Sequence, residues 1–153
     1  MRFVYEKAKI KDFLEIAALD RISWKKNRRS KYIPDGEHVW RLWCEMAIVV
    51  CVRHNKKIVG SAIAFKSDDD TKMVIHKIFV HPNYQNKGIG SNLMRKILSV
   101  IKINQKNIFL TVDPKNDKAI SLYENFGFEK AQLIKGFYRK KEDRIIMILN
   151  PRI

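Results

Sequence analysis

Apolar residues along this chain fall into two repeating patterns, the alternation or short continuous run of a strand and the three-to-four spacing of a helix. Phe3 to Lys7 reads as a first strand, and Ile10, Phe13, Leu14 and Ala17 then recur at helical spacing. Pro34-Asp35 reads as a helix start with Asp35 as N-cap, because a short carboxylate can accept an orphan N–H of the first turn. Val39, Leu42, Trp43 and Met46 form one face of that helix. Ala47 to Val52 and Ile58 to Phe65 are strand-like, joined by the polar turn His54-Asn55-Lys56-Lys57. Asp68-Asp69-Asp70 marks the next turn, and Met73 to Val80 completes an antiparallel meander. His81-Pro82-Asn83 stops it, since proline cannot donate to a ladder.

From Ile89 to Ile103 the pattern is that of an amphipathic helix. Ile89, Leu93, Ile97 and Ile101 form one stripe with Met94 and Leu98 beside it, while Arg95, Lys96, Ser99 and Lys102 face out. Ile108 to Val112 is a strand that pairs in parallel with Met73 to Val80, because a helix connects the two. Asp113-Pro114 ends it. Ala119, Leu122, Tyr123 and Phe126 share a second helical face closed by Gly127. Phe128 to Lys135 and Ile145 to Leu149 complete the sheet. The fold class is α/β, a mixed sheet with helices on both faces, and the length suits one domain over residues 1–153.

Composition narrows the class. Apolar residues make up 46% of the 153, which supports a packed core and argues against disorder. No apolar run approaches the roughly 20 residues of a membrane span. The start, Met1 to Lys7, lacks an apolar signal core, so a cytoplasmic location is the expectation. Cys44 and Cys51 form no metal-type pair, and the four histidines are scattered. The two cysteines read as reduced core residues, and no metal is expected. The net charge of +15 attracts anions: a phosphorylated cofactor, an acidic protein or a nucleic acid. General solubility is the plainer explanation for any single lysine.

The chemistry concentrates at Gln85-Asn86-Lys87-Gly88-Ile89-Gly90, between a strand and a helix. Glycine lets the backbone approach a ligand, and the first turn of a helix offers unpaired N–H groups at the positive end of its dipole. Phosphate satisfies both. The P-loop pattern is absent. A dinucleotide fingerprint would need three glycines at the first strand–helix turn, whereas this turn lies mid-chain with two. The alternative for Gly88 and Gly90 is an ordinary tight turn.

This hexapeptide resembles the acetyl-coenzyme A pyrophosphate loop of the GCN5-related N-acetyltransferase (GNAT) family, Gln/Arg-x-x-Gly-x-Gly/Ala. Ile78-Phe79-Val80-His81-Pro82 resembles that family's central strand. Asn116-Asp117-Lys118-Ala119-Ile120-Ser121-Leu122-Tyr123-Glu124-Asn125-Phe126-Gly127-Phe128 is similar to its second signature. The likeness is close from about Met73 to Phe128, and the element order fits throughout. It implies one domain with six to seven strands and about four helices, binding acetyl-CoA as co-substrate and transferring acetyl to a primary amine by direct attack in a ternary complex.

The resemblance also assigns roles. Backbone groups of Ile78, Phe79 and Val80 would pair with the pantetheine arm like an added strand. The stretch Gln85, Asn86, Lys87, Gly88, Ile89, Gly90 and Ser91 would hold the pyrophosphate. Asn116 would bond the cofactor arm, or cap the following helix, or both. Tyr123 would donate a proton to the departing thiolate; the alternative is a core aromatic. His76, on the strand face of Val74 and Val80, is the candidate base, and a histidine hereabouts is catalytic in the arylalkylamine branch. A packed or exposed strand histidine is the alternative.

The segment Tyr138…Glu142-Asp143-Arg144-Ile145-Ile146-Met147 looks like the bacterial ribosomal-protein-alanine N-acetyltransferase branch. That branch carries a glutamate in the strand after the first core helix, where this chain has Thr111, leaving base and acceptor open. Glu142 is a distant carboxylate to consider near the acceptor. The basic run Arg21, Lys25, Lys26, Arg28, Arg29 and Lys31, flanked by Trp24 and Tyr32, is expected near the acceptor entrance. It would favour an acidic peptide, an anionic metabolite or an aminoacylated RNA over a polyamine, or be a solvated loop. Two other classes compete: a basic RNA-associated protein without activity, and an acyl-coenzyme A sensor. No helix-turn-helix or RNA-recognition signature supports the first. Oligomeric state is left open, a homodimer among the options.

Overall fold

The computed structural model describes residues 1–26, 33–101 and 105–151. Its seven strands are β1 (Val4–Lys7), β2 (Ile48–His54), β3 (Lys57–Lys66), β4 (Lys72–Val80), β5 (Asn107–Val112), β6 (Glu129–Ile134) and β7 (Arg144–Leu149). They form one mixed sheet in the order β1-β2-β3-β4-β5-β7-β6. Among the described residues four helices accompany it: α1 (Phe13–Lys26), α2 (Glu37–Met46), α3 (Ile89–Ile101) and α4 (Asp117–Asn125). This is the α/β architecture the patterns imply. The chain divides into two compact units, Met1–Phe65 with His76–Ile101, and Lys66–Ile75 with Lys102–Ile153.

In the first unit β1, β2 and β3 run antiparallel. The β2–β3 turn is tight because Asn55 and Lys56 both take positive φ (49° and 67°), the twist that suits a two-residue hairpin. Ile16, Ala17 and Leu19 of α1 pack with Trp40, Val49, Cys51, Ile58, Ile63 and Phe79 in a common core. The Trp40 ring meets Trp43 at 5.1 Å and Phe79 at 5.7 Å, both edge-on. The inward stripe of α3 is as the spacing requires, with Ile89, Leu93, Met94, Ile97, Leu98 and Ile101 buried. A Cβ on Gly60 would stand 2.9 Å from Val52 Cγ1 and 3.1 Å from Leu93 Cδ1, so this glycine sets how closely α3 approaches β3.

Three expectations are corrected here. The inward face of α1 runs through Ile16, Ala17, Leu19, Asp20 and Ser23, while Ile10 and Leu14 are exposed. Ile10 in fact belongs to a single 3-10 turn, Ile10–Asp12, ahead of the helix. In α2 the buried side chain is Trp40, with Trp43, Cys44 and, just past the helix, Ala47 packed against the core, while Val39, Leu42 and Met46 are exposed. In α2 two apolar stripes overlap, and the one that carries the bulk of Trp40 turns inward, whereas the inward stripe of α1 is partly polar. Asp35 is not the cap of α2. Gly36 holds the N-cap position without a side-chain bond, because the Asp35 carboxylate is engaged elsewhere. The expected end of α3 at Ile103 lies outside the described residues, as does Lys102.

In the second unit β4 and β5 pair in parallel through Lys72↔Asn107, Met73↔Ile108 and Val74↔Phe109. Antiparallel pairing joins β5 to β7 and β7 to β6. Ile108, Leu110, Val112, Ile120, Phe128, Met147 and Leu149 are buried. The inward residue of α4 is Ile120, with Ala119, Leu122, Tyr123 and Phe126 half-buried around it. The helix closes as the glycine implies. Gly127 has φ 95°, its N–H donates to Glu124 O, and Phe128 N–H donates to Tyr123 O.

Candidate active site

The Gln85–Gly90 turn lies in the first unit. His81 Nδ1 accepts from Asn83 N at 3.1 Å, capping the short 3-10 turn Pro82–Tyr84 that follows β4. The Gln85 amide then donates back to Val80 O at 3.3 Å, tying the turn to the strand end. Asn86 (φ 60°) and Gly88 (φ 75°) both occupy the left-handed region. A Cβ on Gly88 would meet nothing within 4 Å, so the glycine answers a backbone need and the space above it is open. The first bond within α3 runs from Asn92 N to Gly88 O, so helix geometry leaves the N–H groups of Ile89, Gly90 and Ser91 without a partner in the helix. An exposed backbone turn running into a helix N-terminus can seat an anion.

The central strand carries a charge cluster that the sequence reading missed. Alternation places Lys77 in phase with the buried Met73, Ile75 and Phe79. Its side chain is 7% exposed and its Nζ lies 3.2 and 3.1 Å from the two carboxylate oxygens of Asp20, 2.7 Å from Asp35 Oδ2 and 3.3 Å from Ile33 O. Asp20 is fully buried and also accepts from Trp40 Nε1 (3.0 Å) and Asp35 N (2.9 Å). Burial pushes the Asp20 carboxyl up despite Lys77 and these bonds. For Asp35 burial acts the same way but is outweighed by hydrogen bonds from His76 and Lys77, which hold its carboxyl below the usual range. The available signals were a lysine on the inward phase of a strand and an aspartate on the inward stripe of a helix.

His76 stands beside this cluster. Its Nε2 is 3.0 Å from Asp35 Oδ2, and its ring packs on Trp43 (5.1 Å) and Phe65 (6.2 Å) with a third of the side chain exposed. Among the described residues Nδ1 has no hydrogen-bond partner. His76 is thus oriented on one nitrogen and open on the other, which a general base requires.

In the second unit Asn116 caps α4, its side-chain oxygen accepting from Ala119 N at 3.1 Å, which leaves the amide nitrogen for another partner. Tyr123 sits on α4 with its ring 6.0 Å from Phe128, and burial pushes its phenol up to about 12. Thr111 Oγ1 lies 3.2 Å from Tyr138 OH. Glu142 is buried and held by Arg139 and Arg144, a carboxylate already committed to structure. Of the basic run, Arg21 is paired with Glu37. Arg28, Arg29, Lys31 and Tyr32 lie outside the described residues. Neither thiol suits nucleophilic attack, since burial pushes Cys44 up to about 11 and Cys51 to about 12.

Among the described residues no helix is long and apolar enough to cross a membrane. The [ribosomal protein bS18]-alanine N-acetyltransferase of Escherichia coli (strain K12) is 34% identical over 99 residues, 62% of this chain and 66% of that one. The N-alpha-acetyltransferase RimI of Mycobacterium tuberculosis is 37% identical over 65 residues, 42% of this chain and 40% of that one. The chain therefore spans less than two thirds of the curated relatives it matches. In fold it is similar to yncA from Salmonella typhimurium, solved with its cofactor acetyl-CoA: TM-score 0.83, 17% identity, covering 100% of this chain and 96% of that one. The model of the acetyltransferase (GNAT) family matches residues 13–128, a span that takes in α1, the glycine turn and the whole of α4, and on that match the chain belongs to this family.

Proposed function

We propose that this chain is an acetyl-CoA-dependent N-acetyltransferase acting in the cytoplasm on a primary amine. The observation that carries the reading is the turn at Asn86 and Gly88, open to solvent and running into the N-terminus of α3, in a chain of the GNAT family. Backbone N–H groups from Asn86 to Ser91 would bind the pyrophosphate, with Gln85 bracing the turn. The β4 register with β5 covers Lys72 to Val74 and no later residue of the strand, which supports Ile78, Phe79 and Val80 as the backbone that bonds the pantetheine arm. The amide nitrogen left over at Asn116 suits the same arm.

His76 takes the proton from the acceptor ammonium, since a protonated amine has no lone pair to attack with. The free amine then attacks the thioester carbonyl. The C–N bond forms, the C–S bond breaks, and the Tyr123 phenol supplies a proton to the thiolate. A phenol pushed up to about 12 stays protonated across the physiological range, as a proton donor must. The two thiols that burial pushes up, Cys44 and Cys51, support direct attack in a ternary complex over a thiol-borne acetyl intermediate. The RimI relatives point to a protein or peptide N-terminus as acceptor, and the net charge of +15 favours one that carries acidic groups.

The test is a panel of small amines, peptides of varied N-terminal sequence and aminoacyl-tRNA, following free thiol released from acetyl-CoA. Acceptor-dependent thiol release with a peptide supports the reading. Calorimetric absence of acetyl-CoA binding would sink it.

A further inference from the structure

We propose that Asp35 is the positioning residue of His76, fixing which ring nitrogen is free to accept the proton. The inference rests on the reading of His76 as base. It is carried by the way Asp35 is itself held. Its backbone N–H donates to Asp20 Oδ2 at 2.9 Å, and its Oδ2 receives Lys77 Nζ at 2.7 Å and His76 Nε2 at 3.0 Å. Asp20 is in turn anchored by Trp40 Nε1 at 3.0 Å and by Lys77. A carboxylate pinned from its own backbone and from an ammonium cannot swing away from the imidazole, and Trp43 and Phe65 limit rotation of the ring.

An ionised carboxylate accepts hydrogen bonds and donates none, so the proton of the neutral ring resides on Nε2. Nδ1 then carries the lone pair. When the acceptor ammonium gives up its proton, the N–H bond breaks and a bond to Nδ1 forms. The resulting imidazolium keeps its Nε2–H on Asp35, whose charge compensates the new one. The same logic governs the buried aspartate that sets the histidine tautomer in serine-protease triads. Here the aspartate comes from the segment entering α2 and the histidine from β4.

Asp35→Ala tests the assignment. Lys77 Nζ and His76 Nε2 both meet Oδ2, so an asparagine oxygen there would still serve the ring, whereas alanine removes the acceptor that holds the Nε2 proton. The expected result is a fall in kcat of about 10²-fold with KM for acetyl-CoA nearly unchanged. In a His76→Gln background the same substitution should cost little, the coupling that a double-mutant cycle reads. Equal losses in both backgrounds would overturn the proposal. A second readout needs no activity: long-range proton–nitrogen NMR spectra of ring-labelled His76. The wild-type neutral ring should be the Nε2–H form with that proton protected from exchange with water, and Asp35→Ala should lose the protection. A wild-type ring protonated on Nδ1 overturns the proposal even where Asp35→Ala does not fold. If the wild type acetylates no amine while the tautomer is as stated, the acetyltransferase reading fails and the Asp35 contact stands.

Discussion

The ammonium of Lys77 and the carboxylate of Asp20 meet at 3.1 Å, on side chains that are 7% and 0% exposed. Two charges removed from water in this way gain little net stability from their attraction. Breaking the pair is costly because it strands one of them. Lys77→Met should therefore destabilise the chain by about 3–5 kcal/mol, read as a lower urea midpoint with an unchanged slope. The double variant Lys77→Met, Asp20→Leu should recover a large part of that loss. If Lys77→Met alone is neutral, the buried ion pair is not present in solution.

Acid should loosen the first unit through two carboxylates and be opposed by a third. Asp12 resists protonation because burial, which raises it, is outweighed by the bonds from Lys9 N and Arg53; Asp35 is likewise held low. A carboxyl lowered by folding stabilises the fold above its unfolded value, near 4, and that contribution disappears as pH falls through its folded value. Asp20 is raised, so its contribution is present at low pH and is lost as pH rises through its folded value. Urea midpoints measured from pH 7 downward should fall most steeply below about pH 4. In Asp20→Asn the rise that Asp20 contributes on acidification should be gone.

Tyr123→Phe separates chemistry from binding. Removing the phenol should lower kcat by about 10²–10⁴-fold and leave the acetyl-CoA dissociation constant within a few-fold, as for any general acid. With the phenol at about 12, the wild-type rate should show no loss attributable to its ionisation up to pH 10. Unchanged turnover in Tyr123→Phe would remove the acid role.

Gly88 and Gly60 should fail differently when replaced by alanine. At Gly88 there is room for a Cβ but φ is 75°, so Gly88→Ala should cost about 1–2 kcal/mol of backbone strain and weaken acetyl-CoA binding measured by calorimetry. At Gly60 the Cβ would fall 2.9 Å from Val52 Cγ1 and 3.2 Å from Phe79 O. Gly60→Ala should lower thermal stability by about 1–3 kcal/mol of overpacking.

Much of this was legible beforehand, for reasons that differ by element. The stripe of α3 has polar residues on its other side, so only one face could turn inward. The glycine turn and α4 announced themselves by local chemistry: positive φ at Gly88 and Gly127, and a capping side chain at Asn116. The faces of α1 and α2 were misjudged because Leu14, Val39, Leu42 and Met46 are apolar yet exposed, whereas the inward stripe of α1 contains Asp20 and Ser23. The Asp20–Lys77–Asp35–His76 cluster was not legible. Its members come from three separate segments, and no local spacing records that they meet.

The closure of α4 has a further effect. Tyr123 O accepts both Phe126 N at 3.0 Å and Phe128 N at 3.1 Å, so the residue that bears the phenol also receives the bonds that end the helix. One residue inserted between Tyr123 and Phe128 would either break that closure or rotate the phenol about 100° around the helix axis. A length change between Tyr123 and Phe128 therefore cannot leave the phenol where it is. Any drift in the end of this helix is transmitted directly to the aim of its tyrosine.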